Sequence, residues 1–325
     1  MPITRRQLLT SAAALPLAGL SLPTWAQSAW PSRTVRIVVP YPPGGSSDII
    51  GRIISQALSE ALKQTVVVEN KPGANGNLGA AFVVQSNDGG HSLLLCDIGA
   101  LAISPSVYTK LTFDPSTDMQ PVSMLAYSPH VLAVHPSVPA NNLQELIALT
   151  KKQRINFAVP AVGSAPHLAA VEVQQATGAQ WEYVPYKGGA QALTDAVGGQ
   201  TEAIMNGLLA TLPHIRSGKL RAIGLSKAER MSLVPDIPTI AEQGVPGFES
   251  GTWQGIMAPK ELSAESAKSL SDKLTAIVNQ PEIRAKLNEQ GAEIVTMDPA
   301  KLKTFFEDER KRWAKLVASA NIRLD

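Results

Sequence analysis

Apolar residues recur along this chain at two alternating periods, and the alternation predicts an α/β fold. Positions 34–40 form a strand-like run. Positions 48–63 then switch to helical spacing, with Ile49, Ile50, Ile53, Ile54, Ala57, Leu58, Ala61 and Leu62 recurring at i, i+3 and i+4. Positions 65–69 are β-branched and strand-like, Lys71 to Gly76 read as a turn, Asn77 opens a helix to about position 86, and 92–96 form a short buried strand. Positions 122–135 read as one or two strands, broken by Ser128-Pro129. A helix over 143–152 has Asn141 or Asn142 as its cap, where a side-chain oxygen can accept an unpaired backbone N–H. Strands near 156–159, 181–184, 203–206 and 221–225 alternate with helices after His167, Gly189 and Ala210. A strand over 252–258 precedes mostly helical segments at 264–279, 281–290 and 299–320. This order is the signature of mainly parallel sheets flanked by helices.

No low-complexity linker divides the chain. Two α/β lobes fit the pattern, the chain crossing between them near 126–130 and again near 250–254. The expected organisation is lobe I from 27–127 with 253–325 and lobe II from 128–252, the two crossover strands acting as a hinge. Open α/β sheets bind ligands beyond the carboxyl ends of their strands, so two facing lobes make a cleft.

The first residues stand apart from this pattern. Arg5-Arg6 precede an apolar stretch over 8–22, and Thr24 and Ala26 supply the small residues of a cleavage site before Gln27. Residues 1–26 therefore read as a cleavable export signal, the arginine pair pointing to the twin-arginine route and an ordinary secretory signal being the other reading. The stretch is too short to span a bilayer, which takes about 20 apolar residues. The 325 residues are 44% hydrophobic and 17% charged, enough for a sizeable core. Loss of 1–26 removes two of the 29 basic residues and none of the 27 acidic ones, so the exported body is neutral. A neutral body argues against nucleic-acid binding, which needs a basic patch. Cys96 is the sole cysteine and ends an apolar run, so it reads as a buried thiol, and stability must come from the core.

Three valine-proline pairs each end a strand and open a small-residue loop that leads into a helix. The loops are Val39-Pro40-Tyr41-Pro42-Pro43-Gly44-Gly45-Ser46-Ser47-Asp48, Val159-Pro160-Ala161-Val162-Gly163-Ser164-Ala165-Pro166-His167 and Val184-Pro185-Tyr186-Lys187-Gly188-Gly189-Ala190. A helix start carries unpaired N–H groups and the positive end of the dipole, so it can hold an anion without a charged side chain. The first loop is neither a P-loop nor a dinucleotide fingerprint, because Gly-Lys-Ser/Thr and G-x-G-x-x-G are both absent. Ser46 and Ser47 can cap the helix or bond a carboxylate. Asp48 reads first as a partner of the helix dipole, and alternatively as a group that orients loop amides or a water. Ser164 and His167, three apart at a helix start, suit a cap better than a nucleophile–base couple. Ser164 can also donate to a ligand carboxylate, and His167 can be a packed first-turn histidine. Lys187 is a charge clamp or a solvated lysine. Neither the five histidines nor the single cysteine has metal-ligand spacing, so no metal or cofactor is expected.

With these loops in order behind an export signal, the chain resembles the periplasmic solute receptors of the tripartite tricarboxylate transporter system, the Bug or TctC-like proteins. The resemblance runs from about Pro31 to Asp325. It rests on the first loop, then Val68-Glu69-Asn70-Lys71-Pro72-Gly73-Ala74-Asn75-Gly76-Asn77-Leu78-Gly79, then Val162-Gly163-Ser164 with His167-Leu168. Val184-Pro185-Tyr186-Lys187-Gly188 and Gly198-Gly199-Gln200 follow, and Pro235-Asp236-Ile237-Pro238-Thr239 with Glu242-Gln243-Gly244 comes last. The resemblance implies a two-lobed periplasmic-binding-protein fold of the type II kind and no enzymatic activity. It implies a small organic carboxylate as ligand and membrane subunits of a tripartite transporter as partners, with a monomer expected. A ligand-sensing receptor for a two-component sensor and an exported serine hydrolase are the other readings. Carried over, the ligand-binding residues are Tyr41, Gly44, Gly45, Ser46, Ser47, Asp48 and Asn77 on one lobe. Gly163, Ser164, His167, Tyr186, Lys187 and Asn206 are their counterparts on the other. Two departures mark this chain. Gly189-Ala190-Gln191 stands where the family tends to Gly-Pro-Ala, and Met205-Asn206-Gly207 where it tends to a Met-Phe-Asp-like strand end, so Asn206 removes a negative charge near a pocket wall.

Overall fold

Ten strands and ten α-helices alternate among the residues that the computed structural model describes, 30–320 and 322–324. The expected export signal, 1–26, lies outside them. In chain order the first half runs β1 (Val35–Val39), α1 (Ser46–Leu62), β2 (Val66–Asn70), α2 (Asn77–Gln85), β3 (Ser92–Asp97), α3 (Ile98–Val107), β4 (Met119–Val134), α4 (Leu143–Thr150), β5 (Asn156–Val159) and α5 (Ala165–Thr177). The second half runs β6 (Glu182–Pro185), α6 (Gly189–Val197), β7 (Ala203–Gly207), α7 (Leu208–Arg216), β8 (Arg221–Leu225), β9 (Gly251–Pro259), α8 (Ala264–Val278), α9 (Pro281–Glu289), β10 (Glu293–Met297) and α10 (Pro299–Ala320).

Two parallel trios form the heart of the molecule. β1 lies between β2 and β3, and β5 lies between β6 and β7. Parallel neighbours need a crossover, and the helices between the strands provide it. Antiparallel β4 and β9 join the trios. They pair from Met119 opposite Pro259 to Pro129 opposite Gly251, β9 bordering β3 and the far end of β4 bordering β7 and β8. The strand order is therefore β2-β1-β3-β9-β4-β7-β5-β6. The outcome is two α/β lobes connected through β4 and β9, with each parallel trio bordered by antiparallel strands.

Both faces of each trio are covered, which is why β1 and β3 read as continuous apolar runs. Ile37, Val39, Leu93 and Leu95 pack with Ile50, Ile54 and Leu58 of α1 on one face, while Val38 and Leu94 pack with Met124 and Met257 on the other. In the second lobe Phe157, Val159, Leu132 and Val134 pack with Leu143 and Leu146, and Trp181 stacks on Phe157 at 4.7 Å as a core residue. Asn142 caps α4 by accepting the Glu145 N–H at 2.8 Å.

The structure departs from the sequence pattern in three elements. β4 is unbroken through Ser128 and Pro129. There the Ser128 hydroxyl accepts the Leu209 N–H at 3.0 Å, so the expected break is instead the point where β4 meets α7. α3 is unannounced because Ile98, Leu101, Ala102 and Ile103 are all buried, and a helix with no polar face shows no amphipathic period. β10, antiparallel to β4, sits in a stretch that reads as mostly helical.

Candidate functional site

The carboxyl ends of β1, β3, β5, β6 and β7 open on one cleft between the lobes, with about 600 Å³ of atom-free space including its mouth. Tyr41, Gly45, Ser46 and Ser47 line it from the loop between β1 and α1, and Asn75, Asp97 and Ala100 stand beside them. Pro160, Ala161, Ser164 and Pro166 face them from the other lobe, with Lys187, Gly188 and Gly189 and with Asn206, Gly207 and Ala210. Thr252 and Gln254 of β9 form the floor.

Five helices begin on this cleft. Gly45 precedes α1, Asp97 precedes α3, Ser164 caps α5, Gly188 precedes α6 and Gly207 precedes α7, and all five residues are in its lining. At α1 and α6 no side chain caps the first turn, whereas at α7 the Ser128 hydroxyl takes the Leu209 N–H. Each helix start carries about half a positive charge and N–H groups without intrahelical partners. Chemically, such a cleft suits an anion held by backbone. The sequence pattern announces three of these starts. That of α3 is hidden, and α7, expected after Ala210, begins earlier, at Leu208, with no valine-proline pair before it.

Of the expected site residues, Tyr41, Gly45, Ser46, Ser47, Ser164, Lys187 and Asn206 line the cleft, while Gly44, Asp48, Asn77, Gly163, His167 and Tyr186 do not. The reasons are local. Asp48 is buried at the back of its loop, where it accepts the Gly44 N–H at 2.9 Å, pairs with Arg52 at 2.9 Å and accepts from Asn70 at 3.0 Å. Asn70 also donates to the Tyr41 carbonyl at 3.0 Å. Asp48 therefore orients the loop and uses up the Gly44 amide. Burial alone would raise its pKa, but hydrogen bonds from Arg52, Gly44 and Asn70 outweigh that and hold the carboxyl below its ordinary value. Ser47 donates to Gln254 Oε1 at 2.7 Å rather than capping α1. Asn77 starts α2 buried, its side-chain amide without a hydrogen-bond partner among the described residues.

In the second loop, the Ser164 hydroxyl caps α5 by accepting the His167 N–H at 3.4 Å and donates to the Ala161 carbonyl at 2.8 Å. The His167 ring instead accepts the Gly163 N–H at Nδ1, 3.0 Å away, and stacks edge-on against Tyr183 at 4.7 Å. Burial pushes His167 down to about 4, so the ring is neutral and fixed as a loop support, not coupled to the serine. Gly163 has φ of 74° and lies against Val107 of α3. In the third loop, Tyr186 donates to Asp195 at 2.8 Å and is pushed up to about 12 by burial and then by that hydrogen bond. Asn206 is buried and donates to Thr211 at 3.3 Å. Its oxygen lies against Gly189, where a Cβ would come within 2.6 Å.

The lobes touch across the cleft. Asn75 donates to the Gly163 carbonyl at 3.3 Å, and a Cβ on Gly188 would lie 2.5 Å from Pro42 Cδ. Beneath the cleft, where β4 crosses β9, His130 is fully buried between Ser250 Oγ and Thr252 Oγ1, each at 3.0 Å. Desolvation pushes it down to about 3, so it too is neutral.

Sequence reasoning missed Asn75, Asp97, Thr252 and Gln254. Asp97 had a usable signal, since it ends a buried strand where α/β sheets place ligands. Tyr41 beside it is partly buried, and its hydroxyl is pushed well above its ordinary value by burial and by the Asp97 charge. Among the described residues, no three His, Cys, Asp or Glu side chains are grouped as a metal site.

Comparisons with known proteins place this geometry. Residues 50–322 match the family described as "Tripartite tricarboxylate transporter family receptor". Protein BugT of Bordetella pertussis (strain Tohama I) is 34% identical over 310 residues, covering 94% of this chain and 95% of that protein. The solved structure of R. palustris Rpa4515 with adipate superposes with a TM-score of 0.87 at 33% identity, covering 91% of this chain and 100% of that one. MatC from Rhodopseudomonas palustris with bound malate superposes with a TM-score of 0.82 at 28% identity, covering 88% and 99%.

Proposed function

The chain belongs to the tripartite tricarboxylate transporter receptor family, and from that premise we propose that it is a periplasmic receptor that captures a small organic carboxylate between its lobes and delivers it to the membrane subunits of a tripartite transporter. The observation that carries this reading is the convergence of five helix starts on one cleft. Preorganised amides and dipoles favour an anion without the large desolvation cost of an added cationic side chain. The apolar lining from Ala100, Pro160, Pro166 and Ala210 leaves room for an organic body behind the carboxylate. Relatives of the same family hold adipate and malate.

In this reading the lobes are 27–127 with 253–325 and 128–252, and β4 and β9 flex between them. α1 and α3 contribute from one lobe and α5, α6 and α7 from the other, so a ligand gains its full set of amides only when the lobes meet. Binding and closure are then one event, and a ligand at a hundred times its Kd stabilises the closed protein by about 2.7 kcal/mol. The receptor acts as a monomer after removal of 1–26.

Thermal-shift screening of residues 27–325 against mono- and dicarboxylates tests the proposal. At least one acid should raise Tm at millimolar concentration. Stabilisation by neutral ligands alone would overturn the carboxylate assignment.

A further inference from the structure

Gln254 is 1% exposed on the floor of the cleft, on β9, one of the two strands that connect the lobes. Strand residues alternate in direction, so Thr252 and Gln254 face the cleft while Trp253 between them turns away, against Tyr127 at 4.4 Å. The Gln254 carboxamide is oriented by α1. Ser47, itself buried in the first turn of that helix, donates its hydroxyl to Gln254 Oε1 at 2.7 Å. The oxygen is thereby engaged, and the Nε2 end carries two N–H donors. Asp97 stands opposite Gln254 in the pairing of β3 with β9, but takes the Trp253 N–H at 3.1 Å. No group among the described residues accepts from Gln254 Nε2. Nor is the nitrogen sealed in. Among the described residues, side-chain polar atoms that are both enclosed and unpartnered occur only in Trp30, Asn77 and Thr201, so Gln254 Nε2 opens on the cleft.

A nearly buried donor without an acceptor calls for an explanation, and an acceptor on a ligand supplies one here. We infer that Gln254 is a ligand-binding residue whose carboxamide donates to an oxygen of the bound carboxylate, beside the free amides at the start of α1. An ionised carboxylate accepts and does not donate, so it matches a group that presents only N–H. The hydrogen bond is directional where the field of a helix start is diffuse. It selects an oxygen acceptor at the floor of the cleft and ties the ligand to a hinge strand. This inference rests on the carboxylate reading of the cleft and adds a side-chain donor to the backbone grip. Gln254 also joins β9 to α1 through Ser47, so a test must separate holding a ligand from holding a helix.

The experiment is calorimetry on residues 27–325 with the tightest-binding member of a panel of acetate, succinate, malate, adipate, glutamate and benzoate, using the wild type, Gln254→Met and Gln254→Glu. Methionine is uncharged and of similar length, but lacks both the donors and the acceptor that Ser47 uses. Glutamate keeps that acceptor and lacks the donors, so loss of the donors is what the two variants share. Gln254→Met should weaken binding about 10- to 150-fold, the scale of one hydrogen bond to a charged group, and Gln254→Glu at least as much. Weakening by methionine alone, with a lower Tm for the free protein, assigns Gln254 to holding α1 and overturns the inference. Weakening by glutamate alone assigns the effect to the added charge and also overturns it, as does wild-type affinity in both variants. A second readout is the side-chain amide signal that vanishes from the proton–nitrogen NMR spectrum of Gln254→Glu. In the wild type, saturating acid should move its proton downfield, and an unmoved signal overturns the inference while leaving the carboxylate reading standing. If no acid of the panel binds, the carboxylate reading and this inference fall together.

Discussion

Gly188 gives the sharpest test of how the lobes meet. It precedes α6 in one lobe, and a Cβ added there would lie 2.5 Å from Cδ of Pro42 in the other. Carbon atoms prefer about 3.5–4.0 Å, so the overlap exceeds a rotamer adjustment, and neither ring nor backbone can swing away as a long side chain could. Overpacking of this kind costs about 1–3 kcal/mol. The cost falls on the closed arrangement alone, because lobes that have parted no longer bring Pro42 to Gly188. Gly188→Ala should therefore weaken ligand binding by about 5- to 150-fold. Gly188 also has φ of 156°, and local strain from alanine there would be felt whether the lobes are together or apart. A double-mutant cycle separates the two effects. Pro42→Ala deletes Cδ, so the double variant should recover most of the affinity that Gly188→Ala loses, while the Tm of the unliganded proteins follows the single changes additively. Calorimetry on the four proteins is the assay. Wild-type affinity in Gly188→Ala, or a loss that Pro42→Ala fails to relieve, would refute the reasoning.

Three further outcomes follow from the same structure. His130 and His167 are neutral in the fold, near 3 and 4, but titrate near 6.5 when unfolded. The unfolded chain thus binds more protons below pH 6.5, so stability is full above that pH and falls beneath it by up to about 1.4 kcal/mol per pH unit for each histidine. Urea melts between pH 7 and 4 should show this slope, and His130→Gln should flatten it. Asp48 works in the opposite range: its lowered pKa contributes stability above the unfolded value, about 3.9, which is lost as pH falls through the folded one. Asp48→Asn should lower Tm at pH 7 and lose less than wild type on further acidification to pH 3. Leu58 is fully buried against Ile54 and Leu62, so Leu58→Ala should cost about 2–5 kcal/mol in chemical denaturation with the binding constant unchanged.

Sequence made the architecture legible where secondary structure is amphipathic or punctuated. Helix α1 shows its spacing because one face meets β1 and β3 and the other meets water. Helix α3 escaped notice for the opposite reason, being buried between β9 and α10 with no polar face to set a period. The site was legible as loops but less so as side chains. Gly45, Ser46, Ser164 and Lys187 could be placed on the cleft because the strand–loop–helix punctuation puts them there. The pattern could not say which way Asp48 or His167 turns, since both are decided by Arg52, Asn70 and Gly163, partners met only in the folded loops. Asp97, Thr252 and Gln254 reach the cleft through the pairing of β3 with β9, a contact between residues more than 150 positions apart.

The central claim is that backbone amides at helix starts in this cleft hold a carboxylate. Titration of residues 27–325 with an acid found by the thermal-shift screen, and in parallel with its methyl ester, tests it most directly. The account predicts saturable heat at one site for the acid and none for the ester with every carboxyl methylated, because that ester carries no carboxylate for the helix starts to hold. Equal binding of acid and ester would contradict it.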